Sequence, residues 1–303
     1  MRTKKTNIIG VLAEDILDFP TVGIINGISE YVEKTDYNIL LNDLRMLDSL
    51  FNKYDQAIHQ KDKINKALSF LIFGAKVDAV IYVGMFDRDI SDIITYMNKP
   101  IIIAYSTSQD EHTCSVTYEN EDAAAELTKH LIDYGHKRIA VITGLAHTTP
   151  AQVRLKGINK AFKESGMILD SVLVKNGDWE RNSGYSCMKD LLEQEKEDLP
   201  TAVLAMNDLM AIGAMDAIRE SGLKVPGDIS VVGFDNREVS EFVFPKLTTI
   251  EIDLKTIGFN AAQMAMQKLN GEGEYNDTGN IIIPSNLLKR DTVKKIKNRG
   301  VKN

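Results

Sequence analysis

Short β-branched apolar runs alternate with longer amphipathic stretches along the whole chain. The runs are almost continuously apolar, which is typical of parallel strands buried on both faces. They predict strands at residues 7–12, 38–41, 79–83, 101–105, 138–143, 171–174, 201–206, 229–234, 249–252 and 280–283. Between them, helical periodicity predicts helices such as 121–134 and 208–221, each followed by a glycine, Gly135 or Gly222. The pattern predicts an α/β protein with two doubly wound parallel-sheet lobes.

The length of the chain also favours two lobes. It has 303 residues, of which 44% are hydrophobic, and this is more than one hydrophobic core usually organises. Residues 44–66 form an unusually long connection, polar at first and then helical. The tail at residues 294–303 is basic, and we expect it to fray.

Net charge, cysteines and the N-terminus restrict the class of protein. The formal net charge of −7 disfavours nucleic-acid binding by this chain alone. Cys114 and Cys187 lack metal-type or redox-type spacing, which favours reduced thiols. The apolar run 8–12 is too short for a signal peptide, and no run approaches the roughly 20 residues of a membrane span. We therefore expect a cytoplasmic protein that does not contact membranes.

Polar side chains collect just after the predicted strands. Ligands of doubly wound sheets bind beyond the carboxyl ends of the strands, so these positions are the candidate binding residues. They are Asp15, Phe19, Met85, Trp179, Asn207 and Asp235, together with Arg154, which opens the helix after the 138–143 strand. Carboxylates accept hydrogen bonds from hydroxyls, arginine donates a planar fork, and an indole can cover the apolar face of a sugar ring. The set therefore predicts a small polyol ligand.

Each candidate also has a structural explanation. Asn207 can cap a helix, Asp235 can form a turn, and Trp179 can simply pack. Arg154 can form a surface ion pair, and Met85 can fill a gap in the core. The sequence alone leaves these alternatives open.

No arrangement of residues indicates catalysis or a cofactor. The five histidines lack the spacing of metal ligands, and no serine lies in a GxSxG motif. Neither GxGxxG nor GxxxxGK[ST] occurs where the fold would require a phosphate loop. We therefore expect a protein that is not an enzyme and that holds no metal and no cofactor.

A series of motifs resembles the lactose/galactose-repressor (LacI/GalR) family of transcriptional regulators, over nearly the whole chain and in family order. The motifs are residues 2–11 (RTKKTNIIGV), 130–140 (HLIDYGHKRIA), 154–157 (RLKG), 201–213 (TAVLAMNDLMAIG), 228–235 (DISVVGFD) and 245–258 (PKLTTIEIDLKTIG). Residues 177–179 (GDW) further resemble a segment of a sugar-binding member, in which the tryptophan lines the sugar pocket. The first motif is similar to the stretch that follows the DNA-binding head of the family.

The resemblance implies a periplasmic-binding-protein-like core of two lobes joined by three crossovers. The first lobe would hold residues 6–116 and 254–279, and the second 117–249 and 280–293. A small, sugar-like effector would bind in the cleft, and two copies would form a homodimer. Arg154, Asn207 and Asp235 match the effector-contacting positions of the family, and Phe19 lies in its first ligand loop.

Three departures from the family limit what the resemblance implies. The DNA-binding head is missing, so operator DNA would be contacted through a domain absent from this chain. Tyr105 stands where many relatives have an acidic residue, so one face of the pocket is expected to differ. The 44–66 segment is longer than usual, and the tail has no leucine heptads that would form a tetramer.

The alternative hypothesis for the function is a sugar-binding protein that serves a transporter.

Overall fold

The computed structural model describes residues 5–46, 56–94, 99–110, 113–193, 198–271 and 279–296. The chain divides into two compact units. The first comprises Met1–Tyr118 and Asp253–Pro284, and the second comprises Glu119–Ile252 and Ser285–Asn303. Among the helices of the described residues, none has the length and apolar character needed to cross a bilayer.

Strands and helices alternate through most of both units. The strands are β1 (Ile8–Ala13), β2 (Asn38–Asp43), β3 (Ala79–Val83), β4 (Ile101–Ala104), β5 (Thr113–Tyr118), β6 (Ile139–Thr143), β7 (Val174–Asn176), β8 (Ala202–Ala205), β9 (Ser230–Val232), β10 (Thr249–Glu251), β11 (Ile281–Ile283) and β12 (Asn286–Leu288). The α-helices are α1 (Phe19–Val32), α2 (Gln56–Ser69), α3 (Glu121–Asp133), α4 (Thr149–Glu164), α5 (Arg181–Leu192), α6 (Asp208–Glu220), α7 (Val239–Phe242) and α8 (Leu254–Asn270). A π-helix (Phe70–Gly74) continues α2, and a short 3-10 helix (Ser171–Leu173) precedes β7.

The first unit is built on a six-stranded parallel sheet in the order β11-β5-β4-β3-β1-β2. Its central strands β3 and β4 are buried along their whole length, as expected where helices cover both faces. One face of the sheet packs on a core that includes Leu12, Leu68, Leu71 and Tyr82. The carboxyl ends of β1, β3 and β4 therefore lie side by side at one edge of the sheet.

Helices α1 and α8 of the first unit pack with their backbones almost in contact at two glycines. A Cβ added to Gly27 would lie 1.9 Å from the carbonyl oxygen of Lys255, and one added to Gly258 would lie 1.9 Å from that of Ile24. No side chain fits at either position, so the close packing of these two helices requires glycine in both.

The second unit has a four-stranded parallel sheet, β7-β6-β8-β9, and a two-stranded antiparallel sheet, β10-β12. Helices α3 and α4 pack together, as do α5 and α6. In the second pair, a Cβ on Gly213 would lie 2.0 Å from the carbonyl oxygen of Arg181. The carboxyl ends of β6, β7, β8 and β9 meet at one edge of the parallel sheet, where the functional candidates of this unit lie.

The parallel α/β class is confirmed, whereas several local predictions are wrong. Residues 171–173 form a 3-10 helix, and the strand begins only at Val174. The 249–252 segment is a strand as predicted, but it pairs antiparallel with β12, and only isolated parallel bridges, Val232–Thr248 and Asp235–Glu251, join it to the end of β9 among the described residues. The patterns of β5 and β12 were not recognised as strands, because β5 is rich in threonine and serine and β12 has three residues.

The predicted lobe boundaries need correction at the C-terminal end. Strand β11, assigned to the second lobe as part of 280–293, pairs with β5 in the sheet of the first unit. Helix α8 covers Leu254–Asn270 of the predicted 254–279 segment, and residues 272–278 lie outside the described residues. The start of the basic tail is ordered rather than frayed, because the Ile296 amide donates to the Tyr134 carbonyl at 2.8 Å. Residues 297–303 lie outside the described residues.

Part of the 44–66 connection lies among the described residues. Leu44 and Met46 are buried in the core of the first unit, and α2 covers the later part of the segment, which confirms the helical prediction there. Residues 47–55 lie outside the described residues.

Candidate functional site

The buried guanidinium of Arg154 is at the centre of the polar group in the second unit. It extends from α4, and only 3% of the residue is exposed. Its Nε donates to Asn120 Oδ1 at 2.9 Å, Nη1 donates to the Met206 carbonyl, and Nη2 lies 3.4 Å from Asp235 Oδ1. The surface ion pair considered for Arg154 is therefore wrong, because this cation is inside the unit at the strand ends.

Two aromatic rings lie against the same guanidinium. Its carbon is 3.7 Å from the ring centroid of Phe234 and 5.7 Å from that of Trp179, both within cation–π range. The indole packs on the backbone of Gly144, where an added Cβ would lie 2.0 Å from Trp179 Cζ2. Trp179 has a φ of 77°, and its indole Nε1 is buried without a hydrogen-bond partner among the described residues. The ring is thus held in a constrained position beside Arg154.

Asn207 has the capping role considered for it and a second contact as well. Its Oδ1 accepts the Met210 amide at 2.9 Å, which caps the N-terminus of α6. Its Nδ2 donates to the carbonyl of Trp179 at 2.7 Å. The amide group therefore ties the tryptophan segment to the end of β8.

Asp235 lies in a strained turn after β9. Its φ is 105° and that of Asn236 is 50°, so two consecutive non-glycine residues have left-handed backbone. Such residues cost of order 1–3 kcal/mol each and are found where the surroundings determine the conformation. Burial raises the pKa of Asp235, while Arg154 and then Arg237 act to lower it. We expect Asp235 to be paired with Arg154 as a carboxylate.

Asp208 lies directly behind this turn. It begins α6 and is fully buried; its carboxylate accepts the Thr249 hydroxyl at 2.6 Å and the Arg237 amide at 2.7 Å. Burial, with Asp235 nearby as a second cause, raises the pKa of Asp208 to about 8. The second unit thus holds two buried acidic groups, Asp208 and Asp235, within one small site, and burial raises the pKa of both.

A separate buried cluster lies at the strand ends of the first unit. Glu14 follows β1 and is fully buried; its carboxylate accepts hydrogen bonds from Tyr82, from Arg88 and, at 2.8 Å, from the amide of Met85. Burial raises the pKa of Tyr82. Asp15 is also buried, and its Oδ1 accepts the amide of Leu17 at 2.9 Å. Within this cluster, the charge of Glu14 is paired with that of Arg88.

The remaining candidates of the first unit occupy the same strand ends. Met85 is buried after β3, and its side chain belongs to the core, as the gap-filling alternative held. Tyr105 follows β4 with a φ of 70°, and its ring stacks on Tyr118 with 5.0 Å between centroids. Phe19 begins α1 and is half-buried. Their contact with an effector remains a prediction.

Three residues in these clusters were missed in the sequence. Asn120 was overlooked because β5, which leads to it, was not recognised as a strand. Glu14 was passed over in favour of its neighbour Asp15, although both follow β1. Asp208 follows the predicted strand 201–206 but is not among the predicted binding residues. All three residues follow a run that forms a buried strand, and a polar residue at such a position is the sequence feature that indicates a binding-site candidate.

Comparison with known proteins reveals close relatives. A family profile described as a periplasmic binding protein-like domain matches residues 128–293. The HTH-type transcriptional repressor PurR of Pasteurella multocida (strain Pm70) is 32% identical over 253 residues, which are 83% of this chain and 71% of that protein. Catabolite control protein A of Priestia megaterium is 28% identical over 296 residues, 97% of this chain and 84% of that protein.

A solved structure supports the same relationship. The lac repressor dimer bound to operator and the anti-inducer ONPF superimposes with a TM-score of 0.78 at 26% identity, covering 96% of this chain and 95% of that chain. The two-lobe, periplasmic-binding-protein-like fold predicted from the sequence is therefore confirmed at the level of fold class.

Proposed function

Because this chain belongs to the LacI/GalR family of transcriptional regulators and corresponds to their effector-binding core, we propose that it senses a small neutral sugar or glycoside. Binding of that effector would control how tightly the whole regulator, most simply a repressor, holds its operator. The observation that carries the proposal is the buried Arg154–Asp235 pair beside Phe234 and Trp179.

The chemistry of this pair suits neighbouring hydroxyl groups. Arg154 donates and Asp235 accepts, so together they can bind two hydroxyls of one ring, and the indole of Trp179 offers an apolar face. A phosphorylated effector would bring up to about two negative charges. Those charges would face the buried Asp235 carboxylate in a region of weak screening, which disfavours sugar phosphates.

Operator binding fits the relatives better than transport does. The relatives named above are transcription regulators, so the solute-binding alternative is not favoured. The net charge of −7 makes the core itself a poor partner for DNA. We propose that a separate DNA-binding head contacts the operator and that the effector changes its affinity by about 5–150-fold, the usual range of such coupling.

A thermal-shift screen tests the choice of effector. We expect neutral sugars or glycosides to raise the unfolding temperature, whereas matched sugar phosphates and purines do not. A ligand present at about 100 times its Kd stabilises by roughly 2.7 kcal/mol, which is readily measured. Stabilisation by a sugar phosphate but not by its parent sugar would contradict the neutral-effector proposal. Stabilisation by purines alone would replace the sugar with a nucleobase.

An apolar face next to the site suggests how two copies associate. The face consists of Val239, Phe242 and Phe244, on and just after α7, and the two phenylalanines are 75% and 90% exposed. Side chains of this size are rarely left in water as a group unless they contact a partner. We propose that they contact a second copy of this chain, in keeping with the dimeric lac repressor.

Phe242→Asp together with Phe244→Asp is expected to convert the proposed dimer to a monomer, because charges replace apolar contact area. Sedimentation velocity at micromolar concentration measures the change. Ile168→Asp is the matched control, since Ile168 is 92% exposed on the same unit but lies outside this face. A double variant that sediments as a dimer would show that the contact lies elsewhere.

A further inference from the structure

Arg290 makes the densest set of side-chain contacts around the strained turn, and it belongs to none of the recognised motifs. It follows β12, and only 12% of its side chain is exposed. Nη1 donates to Ser240 Oγ and to the carbonyl of Leu247, both at 2.9 Å. Nη2 donates to Asn236 Oδ1 at 2.7 Å and to Glu241 Oε1 at 2.8 Å.

These contacts join Arg290 to two elements, the Asp235 turn and helix α7. Asn236 is the second left-handed residue of the turn that carries Asp235. Ser240 and Glu241 lie in α7, the helix of the apolar face. A planar guanidinium can hold all these acceptors in fixed directions, whereas a lysine would supply a single point of contact.

The turn needs such support because its conformation is unfavourable by itself. Residues 235 and 236 persist with positive φ only if their neighbours determine it. The Asp235 amide donates to the Ile250 carbonyl at 2.9 Å, and the Arg237 amide donates to Asp208. These bonds fix the turn to the sheet and to α6. Arg290 connects the turn to α7, beside the bond that the Ser240 hydroxyl donates directly to Asn236 Oδ1 at 3.3 Å.

We propose that Arg290 is a positioning residue that makes the Asp235 turn and helix α7 move as one body. Binding of the effector would thereby change the position of the apolar face. The positioning part depends only on the contacts above. The consequence for effector and dimer rests on the proposed function.

Amide hydrogen exchange followed by mass spectrometry tests the positioning directly and needs no effector. The amides of Asp235, Arg237, Ser240 and Val243 are all hydrogen-bonded, so peptides over the turn and α7 report local opening. In Arg290→Met we expect exchange of both peptides to rise by about tenfold or more, with β6 unchanged. Arg290→Lys should give a smaller rise. Arg219→Met is the control, because that arginine is largely exposed and pairs with Asp216.

Two results would overturn the proposal. Unchanged exchange in either peptide of Arg290→Met would show that the residue does not join the two elements. An equal rise in β6 would show that it supports only global stability. If Arg290→Met does not fold, Glu241→Ala removes one acceptor of Nη2 on an exposed side chain, and the turn should then exchange about threefold faster. No change there would refute the connection.

Sedimentation separates this proposal from the proposed function. If the native chain dimerises, Arg290→Met should weaken self-association by about tenfold, while Arg219→Met leaves it unchanged. Equal dimer affinity in both variants would refute transmission to the apolar face. A native chain that is monomeric would refute the proposed dimer, and the exchange experiment would still decide whether Arg290 positions the turn.

Discussion

Effector binding is expected to fall by at least about 100-fold in Arg154→Lys, because the fork that serves both Asp235 and the effector is lost and only a point charge remains. Isothermal titration with the sugar selected by the thermal-shift screen measures the loss. Arg181→Ala is the matched control, since that arginine is 57% exposed on the same unit and pairs with Asp216. A dissociation constant within twofold of the native value would remove Arg154 from the site.

Folding must be separated from binding in this experiment. Removing the Arg154 cation alone leaves the buried Asp235 with the longer contact to Arg237 Nε at 3.8 Å, and breaking a buried ion pair typically costs about 3–5 kcal/mol. The double variant Arg154→Met with Asp235→Asn removes both charges and should recover much of that stability. We expect it to fold and still not to bind the sugar. Tight binding by the double variant would show that the pair is structural.

The stability of the second unit should depend on pH through Asp208. The pKa of Asp208 is about 8 in the folded state, against an ordinary value of 3.8, so the folded chain keeps a proton that the unfolded chain has released. The contribution of Asp208 to the free energy of unfolding is therefore greatest below about pH 4. It falls as the pH rises and is lost above about pH 8, by at most about 1.4 kcal/mol per unit.

Asp208→Asn isolates this contribution. The amide oxygen can accept from the Arg237 amide, and the amide nitrogen can donate to Thr249 Oγ1, whose own hydrogen can turn to the Ile250 carbonyl 3.4 Å away. Asparagine therefore keeps both contacts without the charge. We expect urea unfolding from pH 5 to pH 7.5 to show a flatter pH dependence than in the native chain. Asp190→Asn, at an exposed position, is the control. Equal slopes in the native chain and Asp208→Asn would mean that Asp208 is ionised throughout.

Asp208→Ala should behave differently from Asp208→Asn. It leaves the buried Arg237 amide and Thr249 hydroxyl without their acceptor, which costs about 1–3 kcal/mol for each group. It should therefore destabilise the unit at every pH. If the alanine and asparagine variants are equally stable, the carboxyl group does not hold the turn.

Much of the candidate site could be predicted because parallel strands carry their polar residues to one edge. Arg154, Asn207, Trp179 and Asp235 were all expected from their positions after strands or at a helix start, and the second unit brings them together. The sequence did not show which hydrogen-bond partners each of these side chains has. Asn207 both caps α6 and holds the Trp179 carbonyl, so its two alternatives are not exclusive.

The sequence by itself determined the α/β class and most of the parallel strands, because periodicity and apolar runs report local burial directly. Only the tertiary structure placed β11 beside β5 and turned β10 to pair with β12, since pairing between distant segments leaves no local pattern. It also decided the protonation of Asp208 and the role of Arg290. Both depend on the groups that folding brings within hydrogen-bond distance, and no spacing along the chain encodes that distance.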